Sequence, residues 1–596
     1  MKMIFRLLLL VSLLCGDLSV SAQQPVLNYT LALNPADTSY VQITMRVRNL
    51  PQVFHLAMVN HFLVDDGYWR FIEDLRISQG TIVREQEGLW RVTGAGRDAT
   101  VRYKVRANEK GAFRVVRKPF LTPTGGMVGD LHHFLYVVEA TTTPAHVTLQ
   151  VPPDWNIATS LAPTSDPRTF FARDAKELSD SPILVGKLRE SRFQVEQVPI
   201  RVAYWPLPDA QPFDEEPLVD GLQRIVQQAA NLFGGLPWRE YVFQVRDGTD
   251  VEGFEHTDCT TIGVPSKDLA AGRNPDYVMI THEFFHTWNI MRIHSADYQG
   301  VSYKPVQLSG LWVSEGFTVY FADLLVRRAG LTTPFPTRLA YLEDLIEWYL
   351  SNPENARYSA EQNSRGAFKP PIGDAHPDRF VLWEQSELMA ALFDLNIRAA
   401  TNGERSLDDL MRALYAEFPG PRGFTTTDIE RLAGKVSGRN LKPFFDAHVR
   451  RAGKLDVARY LAMTGLQMET KTIKAAAPDG TLKPDTRVYA LLPNGENKLR
   501  LYLTHPRSVW LRAGLRNGDQ LVSVNGAVVE TEGEFNDLLN ALHIGDQVKL
   551  EVIRGGKLLP ITVKVESYDW PDVKLVRNPA ASQRQQMILA NWQASK

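Results

Sequence analysis

Between Tyr204 and Pro217 the period of the hydrophobic pattern changes, and one repeating architecture cannot serve both sides of that point. Upstream, from Val26 to Val202, short runs such as "YVQITMRVRN", "WRVTG", "TVRYKVRA" and "HVTLQVP" alternate apolar and polar residues between regularly spaced turn residues. Period-two alternation puts every second side chain on one sheet face, so this part is expected to be an antiparallel β domain. Trp69, Trp90 and Trp155 then read as core or sheet-face residues. Downstream of the Pro-rich "YWPLPDAQPFDEEP", the run "LVDGLQRIVQQAANLFGGLPW" has helical spacing and stops at Gly234-Gly235. "REYVFQVRDG" reads as a strand, and further helical patterns follow at "SEGFTVYFADLLVRRAG", "TRLAYLEDLIEWYLS", "SELMAALFDLNIRAAT" and "SLDDLMRALYAEF". From about Gly465 strands return, with one helix among them.

A chain of 596 residues exceeds a single ordinary core, and the pattern predicts a multidomain α+β protein. Its expected parts are a signal peptide at 1–22, an N-terminal antiparallel β domain at 23–205, and a mixed then helical domain at 206–462. A β-rich module at 463–570 and a loose polar tail at 571–596 complete it.

The signal is expected from Lys2 and Arg6, the short apolar run Leu7 to Leu14, and the small-residue site Val20-Ser21-Ala22. The protein is therefore expected to be exported, periplasmic or secreted. Leu14 stands before Cys15 where a lipid-anchored protein would carry a small residue, which argues against an anchor. Beyond the signal, Cys259 is the one cysteine, so no intramolecular disulfide can hold the fold. A net charge of −2 offers no electrostatic case for nucleic acid, and no later stretch is apolar enough for a transmembrane helix.

Chemistry enters at "ITHEFFHTWN". Asn274 as N-cap and Pro275 at the first helical position place it on a helix. His282 and His286, four apart, then share a face and can reach one zinc ion, with Glu283 beside them to orient and deprotonate a metal-bound water. The bare pattern also fits two histidines bonded to backbone. Catalytic zinc commonly takes a third protein ligand. "LWVSEGFTVYF" offers Glu315, 29 residues beyond His286 and flanked by Trp312, Val313, Phe317 and Val319. A carboxylate there is poorly hydrated unless paired or ligated, although the helix dipole alone also favours a glutamate at a helix start.

"HEFFHTWN" and "WVSEGFTVYF", with "FGGLPWREYVFQV" and "EGFEHTDCTTIGVP" before them, resemble the glycyl aminopeptidase family of gluzincin zinc metallopeptidases. The resemblance implies a thermolysin-like catalytic domain, with His282, His286 and Glu315 as ligands of one zinc ion per chain and Glu283 as general base. It also makes Glu255, in "GFEH", the anchor for the substrate's free α-amino group on an edge strand. Family members usually carry Tyr-x-Lys-Gly before a long apolar helix, where the Tyr hydroxyl stabilises the oxyanion. This chain has Trp383, Glu384, Gln385 and Ser386 there; loss of one oxyanion donor costs about 10²- to 10³-fold in rate. Tyr358 and Tyr320 are the alternative donors.

"SVWLRAGLRNGDQLVSVNGAVV" resembles the core of a PDZ domain, whose implied partner is an extended peptide or protein segment. The expected function is an exported zinc aminopeptidase acting on peptides with small N-terminal residues, Gly or Ala. The alternative is a zinc-retaining peptide-binding or scaffold protein whose catalysis is weakened at Trp383 to Ser386.

Overall fold

The computed structural model describes residues 24–594 except 61–66, 108–119, 249–251, 305, 367–378, 493–496 and 504, so the predicted signal lies outside the described residues. The N-terminal domain is built from a seven-stranded sheet and two four-stranded sheets. Alternation does the sorting. In Asp37–Arg48, Val41, Ile43, Met45 and Val47 face inward and are buried, while the strand pairs antiparallel with Asp98–Arg106. One pairing departs from the expected antiparallel pattern: Val26–Asn34 runs parallel to Ala145–Gln150. Trp90 and Trp155 are core residues, and Trp69 is half-buried with the Arg84 guanidinium 4.0 Å above its ring.

The β domain ends earlier than predicted. The hairpin Arg189–Val195 and Val198–Trp205 joins the next sheet, because Val198–Trp205 pairs in parallel with Tyr241–Asp247. A hairpin alternates identically whichever sheet it joins, so only its hydrogen-bond partner reveals the boundary. That five-stranded sheet runs Arg189–Val195, Val198–Trp205, Tyr241–Asp247, Cys259–Val264 and, at the edge, Glu252–Glu255. Its strands and the helices Glu216–Phe233, Tyr277–Phe285, Gly316–Arg328, Arg338–Ser351 and Arg379–Ala400 share one core, including Leu222, Phe243, Phe284, Phe317 and Leu388. Gly234 takes φ 77° and closes the first of these helices, as its left-handed C-cap requires.

The C-terminal module is a five-stranded sheet, from Val488–Leu491 at one edge to Lys557–Lys564 at the other, with the helix Glu532–Asn540 beside the Val488–Leu491 edge. In sequence it is inserted between the two paired strands of an antiparallel ribbon, Leu466–Lys474 and Asp569–Arg577. The ribbon is fixed to the helix Arg338–Ser351: Glu347 accepts from the Val573 amide at 2.8 Å and the Trp570 indole at 3.1 Å, and Glu343 accepts from the Leu575 amide at 2.7 Å.

The tail predicted to be loose from Pro571 is instead this second ribbon strand followed by the helix Gln583–Gln593. Its polar composition hid three buried apolar anchors, Ile588, Leu589 and Trp592. The Trp592 indole donates to the Tyr320 hydroxyl at 3.1 Å, and the Arg338 guanidinium lies 4.6 Å from the Trp592 ring. Trp592→Ala is expected to lower stability by about 3–5 kcal/mol, the range for deleting a large buried aromatic, seen as a fall in Tm. No helix among the described residues is long and apolar enough to cross a membrane.

Candidate metal centre and substrate-amine site

The motif helix is Tyr277–Phe285, beginning later than predicted because Asp276, not Asn274, caps it by accepting the Met279 amide at 3.0 Å. His286 follows directly in helical geometry, so His282 and His286 project one turn apart from one face. Their Nε2 atoms are 3.0 Å apart, and both lie close to Glu315 Oε2, at 3.6 Å and 3.7 Å. Glu315 sits between the short helix Leu311–Ser314 and the longer Gly316–Arg328, its side chain buried.

A second layer sets the protonation of this cluster. His286 Nδ1–H donates to the Asn289 carbonyl at 2.8 Å, which leaves the Nε2 lone pair facing the cluster. The Asn289 side chain in turn donates to the carbonyls of Val313 and Ser314 and to the Thr318 hydroxyl, tying the turn after the motif helix to the segment that carries Glu315. The next residue, Ile290, is held at φ 126°, a region β-branched residues avoid; the surrounding bonds impose it. Burial disfavours a charged His286, yet the carboxylates of Glu315, Glu255 and Glu283 raise its pKa above the ordinary histidine value. The field at this point favours a cation.

Glu283 lies against the edge strand Glu252–Glu255, and Gly253 makes that approach possible. A Cβ on Gly253 would fall 2.2 Å from Glu283 Cγ. Two residues on, Glu255 is 3% exposed, and its Oε1 has no hydrogen-bond partner among the described residues. A buried carboxylate oxygen without a donor is costly unless a ligand supplies one. Glu255 lines a cavity of about 30 Å³ together with Leu131, Phe254, Met291 and Tyr298.

The segment that departs from the family pattern is brought to the same cluster. Gly316 and Ser386 meet where two helices cross: a Cβ on Gly316 would lie 2.4 Å from Ser386 Cβ. That close crossing places Trp383, one turn before Ser386, over Glu315, and its indole N–H donates to Glu315 Oε2 at 3.2 Å. Gln385 points away, bonding the carbonyls of Asn355 and Tyr358 and the Asn363 amide. Tyr320 is committed elsewhere, its hydroxyl bonded to Asp394, Arg338 and Trp592 in the helical core. Tyr358 packs with the Arg357 guanidinium 5.4 Å from its ring. Sequence reasoning did not single out Asn289 or Gly253, and it weighed Trp383 only as an oxyanion donor. A glycine before a charged pair in "EGFEH" was the one available signal.

Two imidazole nitrogens and one carboxylate oxygen at 3.0–3.7 Å from one another suit zinc. Ligands at about 2.0–2.1 Å in tetrahedral geometry stand about 3.4 Å apart. His282, Glu283 and His286 also form the one metal-compatible cluster found among the described residues. Trp383→Phe is expected to weaken zinc binding about 10-fold by removing a hydrogen bond to the Glu315 carboxylate, measured by competition with a chromogenic chelator.

A Peptidase M61 N-terminal domain model matches residues 28–187, an M61 glycyl aminopeptidase model matches 276–382, and a PDZ domain model matches 505–565. No curated protein matches the chain. Among solved structures, an aminopeptidase N family protein from Idiomarina loihiensis superposes with a TM-score of 0.73 at 19% identity, over 94% of this chain and 99% of that one. An M1 zinc metallopeptidase from Deinococcus radiodurans superposes with a TM-score of 0.46 at 15% identity, over 73% of this chain and 96% of that one. With its N-terminal domain, motif-bearing segment and C-terminal module matched in that order, the chain belongs to the M61 glycyl aminopeptidase family of zinc metallopeptidases.

Proposed function

We propose that this protein is an exported aminopeptidase that removes small N-terminal residues, glycine or alanine, from peptides. The observation that carries the reading is the buried Oε1 of Glu255, without a hydrogen-bond partner among the described residues and set on the strand directly against the motif helix. A substrate α-ammonium there gains a charge-assisted hydrogen bond and places the first peptide bond, rather than a later one, at the His282–His286–Glu315 cluster. Gly or Ala as the first residue is the reading supported by the M61 glycyl aminopeptidase model matched at residues 276–382.

One zinc ion held by His282, His286 and Glu315 would supply Lewis acidity toward the scissile carbonyl. The chain's own residues do the rest. Glu283, between the cluster and Gly253, takes the proton of the attacking water at its carboxylate and returns it to the leaving amine. Trp383 holds Glu315 in place, and Asn289 fixes the His286 tautomer. The PDZ-like module offers the outer edge of Val488–Leu491, beside the helix Glu532–Asn540, to an extended peptide or protein segment. Export is supported by Lys2, Arg6 and the Val20-Ser21-Ala22 site, and is tested by cell fractionation and by sequencing the mature N-terminus, expected at Gln23.

The decisive assay uses zinc-loaded protein on glycyl and alanyl peptides alongside their N-acetylated counterparts. The expected result is one zinc per chain and chelator-sensitive release of Gly or Ala from the free-amine substrates alone. Equal cleavage of blocked substrates contradicts the aminopeptidase register. A fully metallated chain that leaves every substrate intact favours the peptide-binding alternative.

A further inference from the structure

The strand that carries Glu255 has four residues and lies at the sheet edge, paired on one side only, with Cys259–Val264. Other contacts must therefore fix its place over the motif helix. Alternation turns its two faces to different domains. Gly253 stands against Glu283 on the motif helix, and Glu255 shares that face. Phe254 points the other way and is part of the N-terminal domain's apolar core, with the His256 ring 5.0 Å from its own.

The turn that follows, His256-Thr257-Asp258, is gripped from both domains. From the N-terminal domain, Asp180 Oδ2 accepts the Thr257 amide at 3.0 Å, and its Oδ1 lies 3.3 Å from His256 Nδ1. Asp180 is itself fixed as the C-cap of the helix Ala175–Ser179, its amide bonded to the Lys176 and Glu177 carbonyls. From the catalytic domain, Arg292 donates to the Thr257 carbonyl at 2.6 Å, to Asp258 at 2.6 Å and to the Thr287 carbonyl at 2.9 Å. The Trp238 indole donates to the same Thr257 carbonyl at 3.2 Å. Thr287 follows His286, so Arg292 ties the turn after Glu255 to the end of the zinc motif. Both backbone groups of Thr257, two residues past Glu255, are thus held by charged side chains, and such hydrogen bonds are the strong kind.

Resting on the reading of Glu255 as amine anchor, we propose that Asp180 of the N-terminal domain is a positioning residue for Glu255, acting through the Thr257 amide. The β domain then fixes the separation between the amine anchor and the His282–His286–Glu315 cluster, besides covering the catalytic sheet. That separation decides which peptide bond lies over the cluster, and a misplacement of about 1 Å there is costly.

The test uses two zinc-binding probes of equal size on the full zinc-loaded chain, glycine hydroxamate and propionohydroxamate, which differ in an ammonium against a methyl group. Their dissociation constants are measured by calorimetry, and the ratio reads the amine's contribution apart from zinc binding and turnover. The unaltered chain is expected to prefer glycine hydroxamate by about 10- to 100-fold, as for a hydrogen bond between charged groups. Asp180→Ala is expected to cut that preference about 10-fold while propionohydroxamate stays within about twofold. Asp180→Asn keeps an oxygen for the Thr257 amide and is expected to restore most of the preference. An unchanged ratio in Asp180→Ala, or equal weakening of both probes, overturns the proposal. So does an Asn variant no better than the Ala one: Asp180 also lines the cavity beside Glu255, and its charge would then act on the ammonium directly. Arg292→Lys keeps the charge but loses the fork that bonds Thr257, Thr287 and Asp258. It is expected to lower the ratio in the same sense, and it decides the matter if Asp180→Ala fails to fold. Glu255→Gln separates the two layers. If it leaves the preference intact, the anchor reading itself fails; if it abolishes the preference while Asp180→Ala does not, only the present proposal fails.

Discussion

Glu283→Gln is expected to retain zinc and lose about 10³-fold in kcat, within the range for removing a general acid–base. The amide keeps the shape of the side chain beside the edge strand but can no longer accept a proton. Because His282, His286 and Glu315 are untouched, metal content measured by atomic emission should remain at one equivalent. A variant that keeps its activity would remove Glu283 from the mechanism, whereas one that loses its zinc would make Glu283 structural. The two measurements together distinguish chemistry from assembly.

Gly253→Ala should produce the next largest loss, about 10²-fold in kcat, the cost expected when a catalytic group is displaced by about 1 Å. The new methyl would stand 2.2 Å from Glu283 Cγ and 3.1 Å from the Met279 sulfur. Neither can move freely, since Glu283 and Met279 both sit on the motif helix packed against the strand that carries Gly253. Strain will therefore fall on the position of the base, with zinc binding less affected. Normal kcat together with a lowered Tm would show that the helix yields as a body and carries its base with it. Unchanged kcat and Tm would contradict the close approach.

Much of the candidate site's geometry was legible because helix periodicity is local. His282 and His286 are four apart on a capped helix, so their convergence needs no tertiary information. Glu315 was legible for another reason: a glutamate among Trp312, Val313 and Phe317 must be partnered once those residues are buried. The helix ends at Gly234 and Ser351 lay close to the ends of their hydrophobic patterns. The tail was misread because eleven mostly polar residues, Gln583–Gln593, bury only three anchors, too few to outweigh a Gln-rich composition.

What the sequence by itself determined is the identity of the metal-compatible cluster, the order of the parts and the family. Local spacing and burial demands dictate these. What only the tertiary structure decided is where separate segments meet. The hairpin Arg189–Trp205 joins the catalytic sheet through backbone bonds that side-chain alternation cannot report. Trp383 reaches Glu315 because Gly316 and Ser386 let two helices nearly touch. Asp180 reaches His256, 76 positions further along the chain, because two domains share a wall. Such contacts follow from how whole faces pack, and no window of sequence contains both faces at once.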